Sequence, residues 1–332
     1  MKYALFDYYH GPNHPRKFAE HIEQWAFADG FMNYAFVAEH HFDGDFACCP
    51  SPGPLLGAAS QATSRMRIGA LGFVVPLWNP VRLSEEILFL HDATKGRLEL
   101  GFVSGINDPA FEHYGVEWDT KGELFWQLAD AVVEKIDGKV KTIWFPSRDK
   151  NSIERAAVRG WSTAQWVQPK LDVVRTLFNH HRGYVTQAKK PDADYGILRE
   201  VYVGETTDEA KRIGGEAWLS FWSRIHRTKL KENIGTPRAE RWREMMSIEQ
   251  SISDCSFICG TPEEVKRQID YLTIQTGATV FMADFAFGDL SHERIIRSMN
   301  LFKGAISDRG HSPLADVAGN RGPTASGLSG TR

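Results

Sequence analysis

The sequence predicts an α/β fold in which eight parallel strands, each followed by a helix, close into a TIM (β/α)8 barrel with insertions. Three observations predict it. Strand-like apolar runs alternate with helical patterns from Tyr3 to Ile306, a span that suits a barrel of roughly 250 residues plus insertions. The second run, Ala35-Phe36-Val37-Ala38, is apolar on both faces, as a parallel strand covered on both sides must be. The turn after the first run, Tyr8-Tyr9-His10-Gly11-Pro12, is not the G-x-G-x-x-G of a doubly wound open sheet, the competing fold.

In order, the strands are expected at Tyr3–Tyr8, Asn33–Ala38, Arg67–Val75, Arg97–Val103, Lys141–Phe145, Trp161–Trp166, Ile197–Val203 and Ala278–Phe285. After the first, Phe18, Ile22, Trp25 and Ala26 recur at helical spacing and Gly30 supplies a stop. Pro80 opens a helix where a missing N–H costs nothing, and Val81, Glu85 and Leu88 continue it. Phe125, Leu128, Ala129, Val132 and Ile136 mark another amphipathic stripe. Thr261-Pro262-Glu263-Glu264 is a capping box leading into Val265, Ile269 and Leu272. Ser291 caps a last helix carrying Ile295, Met299 and Phe302.

Two segments break this rhythm. Asp43 to Pro54, with Cys48, Cys49 and three prolines, reads as a long loop, and long loops in compact domains usually have a function. From Ser307 to Arg332 the chain lacks aromatics and is dense in Gly, Ser and Pro, so a disordered tail is expected after one barrel domain spanning 1–306.

Composition narrows the function. With 42% hydrophobic and 24% charged residues the chain is globular, and a net charge of −3 gives no electrostatic case for nucleic acid or an anionic membrane. Met1–Asp7 has too short an apolar run for a signal peptide, and no stretch approaches the roughly 20 apolar residues of a membrane span. A soluble, cytoplasmic chain is expected. Cys48-Cys49 are adjacent, and Cys255 and Cys259 are separated by three residues. Neither spacing is that of a zinc site, so reduced thiols and no metal are expected.

Where the second strand emerges, the apolar run ends in Glu39-His40-His41-Phe42-Asp43. Chemistry in parallel α/β folds collects at carboxyl ends of strands; the alternative is a hydrogen-bonded strand–loop junction. Three further stretches gather on the same face. Leu71-Gly72 lies inside the third strand, where a glycine marks close backbone approach, a distorted peptide or simply packing room. Gly101-Phe102-Val103-Ser104-Gly105 ends the fourth with a hydroxyl between small residues. Ser147-Arg148-Asp149-Lys150-Asn151-Ser152 follows the fifth. Two cations, a hydroxyl and the N–H groups of a helix start would make an anion site; a solvated loop is the other reading. Asp7 and His10 are further candidates for the pocket, and Phe73 and Trp78 are candidate walls or core. His180-His181, between Arg175 and Arg182, reads as a solvated helix face.

These pieces together resemble the bacterial luciferase-like family of flavin-dependent monooxygenases. The resemblance is carried by Ala38-Glu39-His40-His41-Phe42, by Pro76-Leu77-Trp78-Asn79-Pro80-Val81-Arg82-Leu83-Ser84-Glu85-Glu86, and by Gly96-Arg97-Leu98-Glu99-Leu100-Gly101. It continues through Ser104-Gly105, Phe111-Glu112-His113-Tyr114-Gly115, Glu154-Arg155-Ala156-Ala157-Val158-Arg159-Gly160-Trp161 and Gly260-Thr261-Pro262-Glu263-Glu264-Val265. It implies a barrel, usually a dimer, that takes reduced FMN from a separate flavin reductase. Oxygen would add to flavin C4a, and the hydroperoxyflavin would oxygenate a small organic substrate. His40 matches the family's catalytic histidine, with Glu39 and His41 beside it, and Leu71-Gly72 matches the position of a frequent cis peptide under the isoalloxazine.

The resemblance also shows departures. Of two arginines that help hold the flavin phosphate in the luciferase α chain, one aligns with Ser104 and the other falls near Gly122, next to Lys121. The implied phosphate loop aligns with Arg148–Ser152, so Arg148, Lys150, Asn151 and Ser152 are expected to take that role. Asp43–Pro54 and Trp218–Glu249 are expected to shape the substrate pocket. Two rivals remain: a hydride-transfer oxidoreductase using the deazaflavin F420, and a non-catalytic partner like the luciferase β chain.

Overall fold

The structure is a computed structural model that describes residues 1–10, 15–42, 49–106, 108–190, 193–229 and 237–307. Its first half alternates strands with helices. Strand β1 (Lys2–Asp7) leads to α1 (Lys17–Ala28), β2 (Tyr34–Val37) to α2 (Pro52–Ala62), and β3 (Arg67–Val74) to α3 (Pro80–Ala93). Then β4 (Leu98–Val103) is followed by α4 (Asp108–His113) and α5 (Lys121–Ile136), and β5 (Ile143–Trp144) by α6 (Lys150–Val158). The second half runs β6 (Thr163–Gln165), α7 (Leu171–Gln187), β7 (Tyr195–Val203), α8 (Thr207–Lys229), α9 (Pro237–Glu244) and α10 (Ile248–Ser253). It ends with β8 (Phe257–Gly260), α11 (Pro262–Thr276), β9 (Val280–Asp284) and α12 (His292–Ser307).

All pairings are parallel, in the order β5-β4-β3-β2-β1-β9-β7-β6. The open ends meet, because Trp144 bridges Ser162 while Ser162 N donates to Ile143 O at 2.7 Å and Phe145 N to Ser162 O at 2.8 Å. A ring of eight strands therefore closes, at the positions expected from the sequence to within a few residues at each end. A ninth strand was not legible. β8 pairs the last four residues of β7 outside the ring, and a four-residue apolar run cannot be told from a loop by periodicity alone.

The helix signals act as their chemistry requires. Asn79 Oδ1 caps α3 by accepting from Val81 N and Arg82 N at 3.0 and 3.2 Å, with Pro80 in the first turn. Thr261 and Glu264 form the full capping box of α11. Ser291 Oγ accepts from Arg294 N at 3.4 Å at the start of α12.

Three local expectations are corrected. The proposed loop Asp43–Pro54 ends earlier, because Pro52 and Pro54 occupy the first turn of α2, where their missing donors are tolerated; residues 43–48 lie outside the described residues. α1 exists, but its buried face is His21, Gln24, Trp25 and Ala28, while Phe18 and Ala26 are exposed. The polar pair can be buried because Asp7 and His292 meet it. His181 is not solvated. It continues the stripe Val174, Leu177, Phe178, Val185 of α7, touches Tyr195 Oη at 3.3 Å, and is pushed down to about 4 by burial. α12 runs through Ser307, and the rest of the expected tail lies outside the described residues.

The barrel is filled, not hollow. Tyr34, Phe36 and Trp144 pack ring against ring inside it, and Trp144 Nε1 donates to buried Glu99 at 2.8 Å. At the amino-terminal rim Asp194 accepts from Lys2 Nζ at 2.8 Å and from Thr279 Oγ1 at 2.9 Å. Such contacts at that rim serve stability, leaving the other rim for chemistry. Among the described residues no helix is long and apolar enough to cross a membrane.

Candidate active site

The carboxyl ends of β2, β3 and β4 frame a cleft. One wall is Ala38-Glu39-His40-His41, and Leu71, Gly72, Val74 and Leu77 lie across the end of β3. Val103, Gly105, Ala110 and Phe111 close the far side from β4 and α4. Five residues singled out from the sequence, Glu39, His40, His41, Leu71 and Gly72, thus line one cavity.

Glu39 is buried and its carboxylate accepts from three donors. Val74 N reaches Oε2 at 2.9 Å, the Trp78 indole N–H lies 3.1 and 3.0 Å from the two oxygens, and His41 Nε2 is 2.7 Å from Oε1. The group therefore staples the end of β2 to the end of β3. Its partner Trp78 packs edge-on against buried Phe73 at 5.7 Å, so these two aromatics stand behind the cleft instead of forming its wall. His41 is buried as well, and its Nδ1 lies 3.2 Å from the Tyr114 hydroxyl. His40 is half-buried, its backbone N donates to Cys49 O at 2.9 Å, and its ring lies 6.2 Å from that of Tyr8.

The peptide Leu71-Gly72 is cis. It coincides with a shift in the β3–β4 register between Ala70 and Phe73. A Cβ on Gly72 would fall 2.6 Å from Gly101 C, and one on Gly101 would fall 2.5 Å from Ala70 O. The glycines are thus demanded by strand–strand approach, while the same turn of backbone presents Leu71 and Gly72 to the cleft.

The anion-site residues lie next door. Ser104 is half-buried between cleft residues Val103 and Gly105 but is not itself in the wall. Arg148, Lys150, Asn151 and Ser152 follow β5, the neighbour of β4, and none lines the cleft. Arg148 Nη1 points at Gln168 Oε1 at 3.5 Å. The helix start is not simply a set of amide donors, because the Asp149 carboxylate caps it and accepts from Ser152 N at 2.8 Å. An acid is a favourable N-cap for the reason that an anion is welcome there. Lys121 supplies a cation on the β4 side, with Nζ 2.9 Å from Gly105 O and 3.0 Å over the Trp118 ring.

Asp7 and His10 do not join this cleft. Asp7 faces α1, where it accepts from His21 Nδ1 at 2.9 Å and Trp25 Nε1 at 2.8 Å. The His21 imidazole beside it holds its carboxyl below the usual range against the cost of burial. His10 lines a second cleft, between the β1–α1 and β9–α12 connections, and burial pushes it down to about 3.

Sequence reasoning missed an acidic pair inside the barrel. Glu200 of β7 and Asp284 of β9 are register partners, both fully buried, on the inward face with Tyr8 close by. Burial pushes Glu200 up to about 8, and burial with the Glu200 charge holds Asp284 well above the usual carboxylate range. The signal was available, since Asp284 is the one polar residue of its strand and Glu200, beside Arg199, is the one acid of its own. Tyr114 was also missed as a partner of His41, although it stood in the motif Phe111-Glu112-His113-Tyr114. The expected pocket segment Trp218–Glu249 is described in part. Phe221 and Trp222 of α8 pack on His10 and Trp166 at 4.7 and 5.6 Å.

Comparison with known proteins gives a consistent picture. A family model described as luciferase-like monooxygenase matches residues 4–279. The chain is 23% identical over 344 residues to the uncharacterized protein y4wF of Sinorhizobium fredii, covering 93% of this chain and 97% of that one. It is similar to the oxygenase component of the flavin-dependent trigonelline monooxygenase of Acinetobacter baylyi, at 23% identity over 230 residues, covering 59% of this chain but only 62% of that one. Among solved structures, the oxygenating constituent of 3,6-diketocamphane monooxygenase from Pseudomonas putida, in complex with FMN, superposes with a TM-score of 0.81 at 16% identity, covering 94% of this chain and 99% of that one. An F420-dependent secondary alcohol dehydrogenase superposes with a TM-score of 0.70 at 14% identity, covering 92% and 98%. At these identities the superpositions establish the shared barrel.

Proposed function

The chain belongs to the luciferase-like monooxygenase family, and from that premise we propose that it is the oxygenase of a two-component system, using FMN reduced by a separate reductase, O2 and a small organic substrate. The observation that carries this reading is the single cleft that Glu39, His40 and His41 line together with Leu71 and Gly72. The donor set fits a flavin ring. Leu71, Val74, Leu77, Val103 and Phe111 offer an apolar surface for a planar heteroaromatic system, and His40, flanked by Glu39 and His41, offers one polar edge.

When bound, reduced FMN supplies the two electrons with which one atom of O2 enters the substrate and the other leaves as water. The protein's own part is positional and protic. The apolar wall would exclude water, and His40 would hold or move a proton at its own ring nitrogen. Arg148, Lys150, Asn151 and Ser152 at the start of α6, with Ser104, are assigned to the phosphate, two cations compensating the Asp149 cap. A homodimer in the cytoplasm completes the proposal. The support for the flavin is the FMN held by the diketocamphane monooxygenase structure and the flavin dependence of the trigonelline relative.

The test is anaerobic titration of the chain with reduced FMN, followed by rapid mixing with oxygen. Saturable binding and a flavin oxidation distinct from that of free flavin are expected, both impaired in His40→Ala. Flavin that oxidises as in buffer ends the proposal. A second reading is favoured by the likeness to the F420-dependent dehydrogenase: hydride transfer on a deazaflavin. It predicts turnover with F420 and no oxygen consumption. Binding without any turnover would point to a non-catalytic partner subunit.

A further inference from the structure

We propose that Tyr114 is the proton port of this cleft, a positioning residue at the outer end of a chain Glu39–His41–Tyr114 through which His41 exchanges its proton with water. The proposal rests on the flavin reading only for the use to which the proton is put.

The geometry is specific. Both ring nitrogens of His41 are engaged by protein, Nε2 to Glu39 at 2.7 Å and Nδ1 to the Tyr114 hydroxyl at 3.2 Å. Glu39 already accepts from Val74 N and the Trp78 indole, so it meets His41 as an acceptor and fixes the proton on Nε2. Nδ1 then carries the lone pair, and Tyr114 must donate to it. His41 therefore has no nitrogen left with which to touch a ligand directly. That task falls to His40, the other cleft-lining histidine.

Exposure gives the chain a direction. Glu39 is 4% exposed, His41 6% and Tyr114 47%, so the phenol is the member that meets water. Glu39 and His41 line the cleft, and Tyr114 follows α4, whose Ala110 and Phe111 line the facing wall. Among the described residues, the other titratable groups around the chain include His40, the neighbouring His113, whose ring packs at a tilt on Phe42 at 4.6 Å, and Glu86 of α3, whose carboxyl burial and the Glu39 charge hold above its usual range. A carboxylate–imidazole–hydroxyl chain moves protons by exchanging one bond for another. On charging, the Tyr114 O–H breaks as an N–H forms at Nδ1, and a buffer acid restores the phenol proton. His41 is left as imidazolium beside the Glu39 carboxylate, and the buffer base stays in water. Discharge is the reverse. Towards the cleft, the His41 Nε2–H breaks as an O–H forms on Glu39, whose carboxyl lines the cavity, so a proton can reach or leave a cleft occupied by an anionic ligand without the cleft opening.

Two measurements test this. The first needs no cofactor. In the 15N-labelled full chain, His41 should show its proton on Nε2 and a hydrogen-bonded Nδ1, and Tyr114→Phe should move the Nδ1 resonance to that of an unbonded acceptor. A proton on Nδ1, or no change in Tyr114→Phe, overturns the proposal. The second follows a pH indicator while the bound anionic form of reduced FMN is oxidised by O2 without substrate. That reaction takes up one proton from water, the flavin gives up two electrons and one proton, and oxygen leaves as H2O2. Tyr114→Phe should slow proton uptake by about a hundredfold, the low end for loss of an acid–base group, with reduced-FMN affinity within about twofold of the parent. Unchanged uptake overturns the port, and so does an equal loss of affinity, which would make Tyr114 a merely structural tie. Failure of the parent chain to bind reduced FMN sinks the flavin reading instead, and the 15N result then decides the port.

Discussion

Glu200 and Asp284 face each other across the β7–β9 ladder, both completely buried, and the Glu200 oxygens and Asp284 Oδ2 lack a well-formed hydrogen bond. Asp284 Oδ1 is met by Ala286 N at 2.9 Å, and the nearest cation, Arg199, spends its guanidinium on the carbonyls of Cys255 and Leu198 at 2.6 and 2.7 Å. Two ionised carboxylates cannot share such a site cheaply, and a proton is the available remedy.

A pH dependence of stability follows. Glu200 moves from 4.5 to about 8 on folding, so between those values the folded state binds more protons than the unfolded one. Stability should therefore be highest near the lower value and fall as pH rises through about 8, by on the order of a few kcal/mol. Thermal melts across that range should show the decline, and Glu200→Gln should flatten it. A profile that rises with pH, or an unchanged one in the variant, would refute the assignment.

Glu39→Gln tests the staple. The amide has one acceptor oxygen for Val74 N, Trp78 Nε1 and His41 Nε2, and its own N–H2 meets donors. Leaving buried donors unmatched costs about 1–3 kcal/mol, so the urea midpoint should fall and the His41 15N pattern should change with it. A stable variant with intact His41 resonances would mean that the three contacts do not matter.

Arg148→Ala tests the phosphate assignment. Loss of one charge-assisted contact, about 1.5–3 kcal/mol, should weaken reduced-FMN binding roughly tenfold or more at low salt, with little effect on the melting temperature because the side chain is exposed. Binding equal to the parent would remove Arg148 from the site, leaving Lys150 or Lys121 to be tried.

Gly101→Ala tests the strand contact. The new methyl would fall 2.5 Å from Ala70 O and 2.8 Å from Leu71 Cα, where backbone cannot give way cheaply. Overpacking of this kind costs about 1–3 kcal/mol, and the shift of Leu71-Gly72 should also weaken flavin binding. A variant that melts and binds like the parent would show that the two strands have slack.

Asn79→Ala, a position outside the cleft lining, should cost about 0.5–2 kcal/mol through lost capping of α3. Calorimetry measures it, and flavin affinity should not follow.

What the sequence determined by itself is whatever depends on neighbours along the chain. Strand and helix alternation, Pro80 and Thr261 at helix starts, and the arrival of Glu39-His40-His41 at a strand end are all local, written in spacings of two to four residues. The likeness of Leu71-Gly72 to a family position was likewise legible, and the peptide there is cis. Tertiary structure decided the rest, because a polar side chain's role is set by partners that sequence distance hides. Two adjacent histidines are alike in sequence; they are told apart by Tyr114, 73 residues from His41. β8 is too short to announce itself and exists by pairing with β7. Asp7 turns away from the cleft because His21 and Trp25 of α1 wait for it, and Glu200 meets Asp284 only when the ring of strands closes.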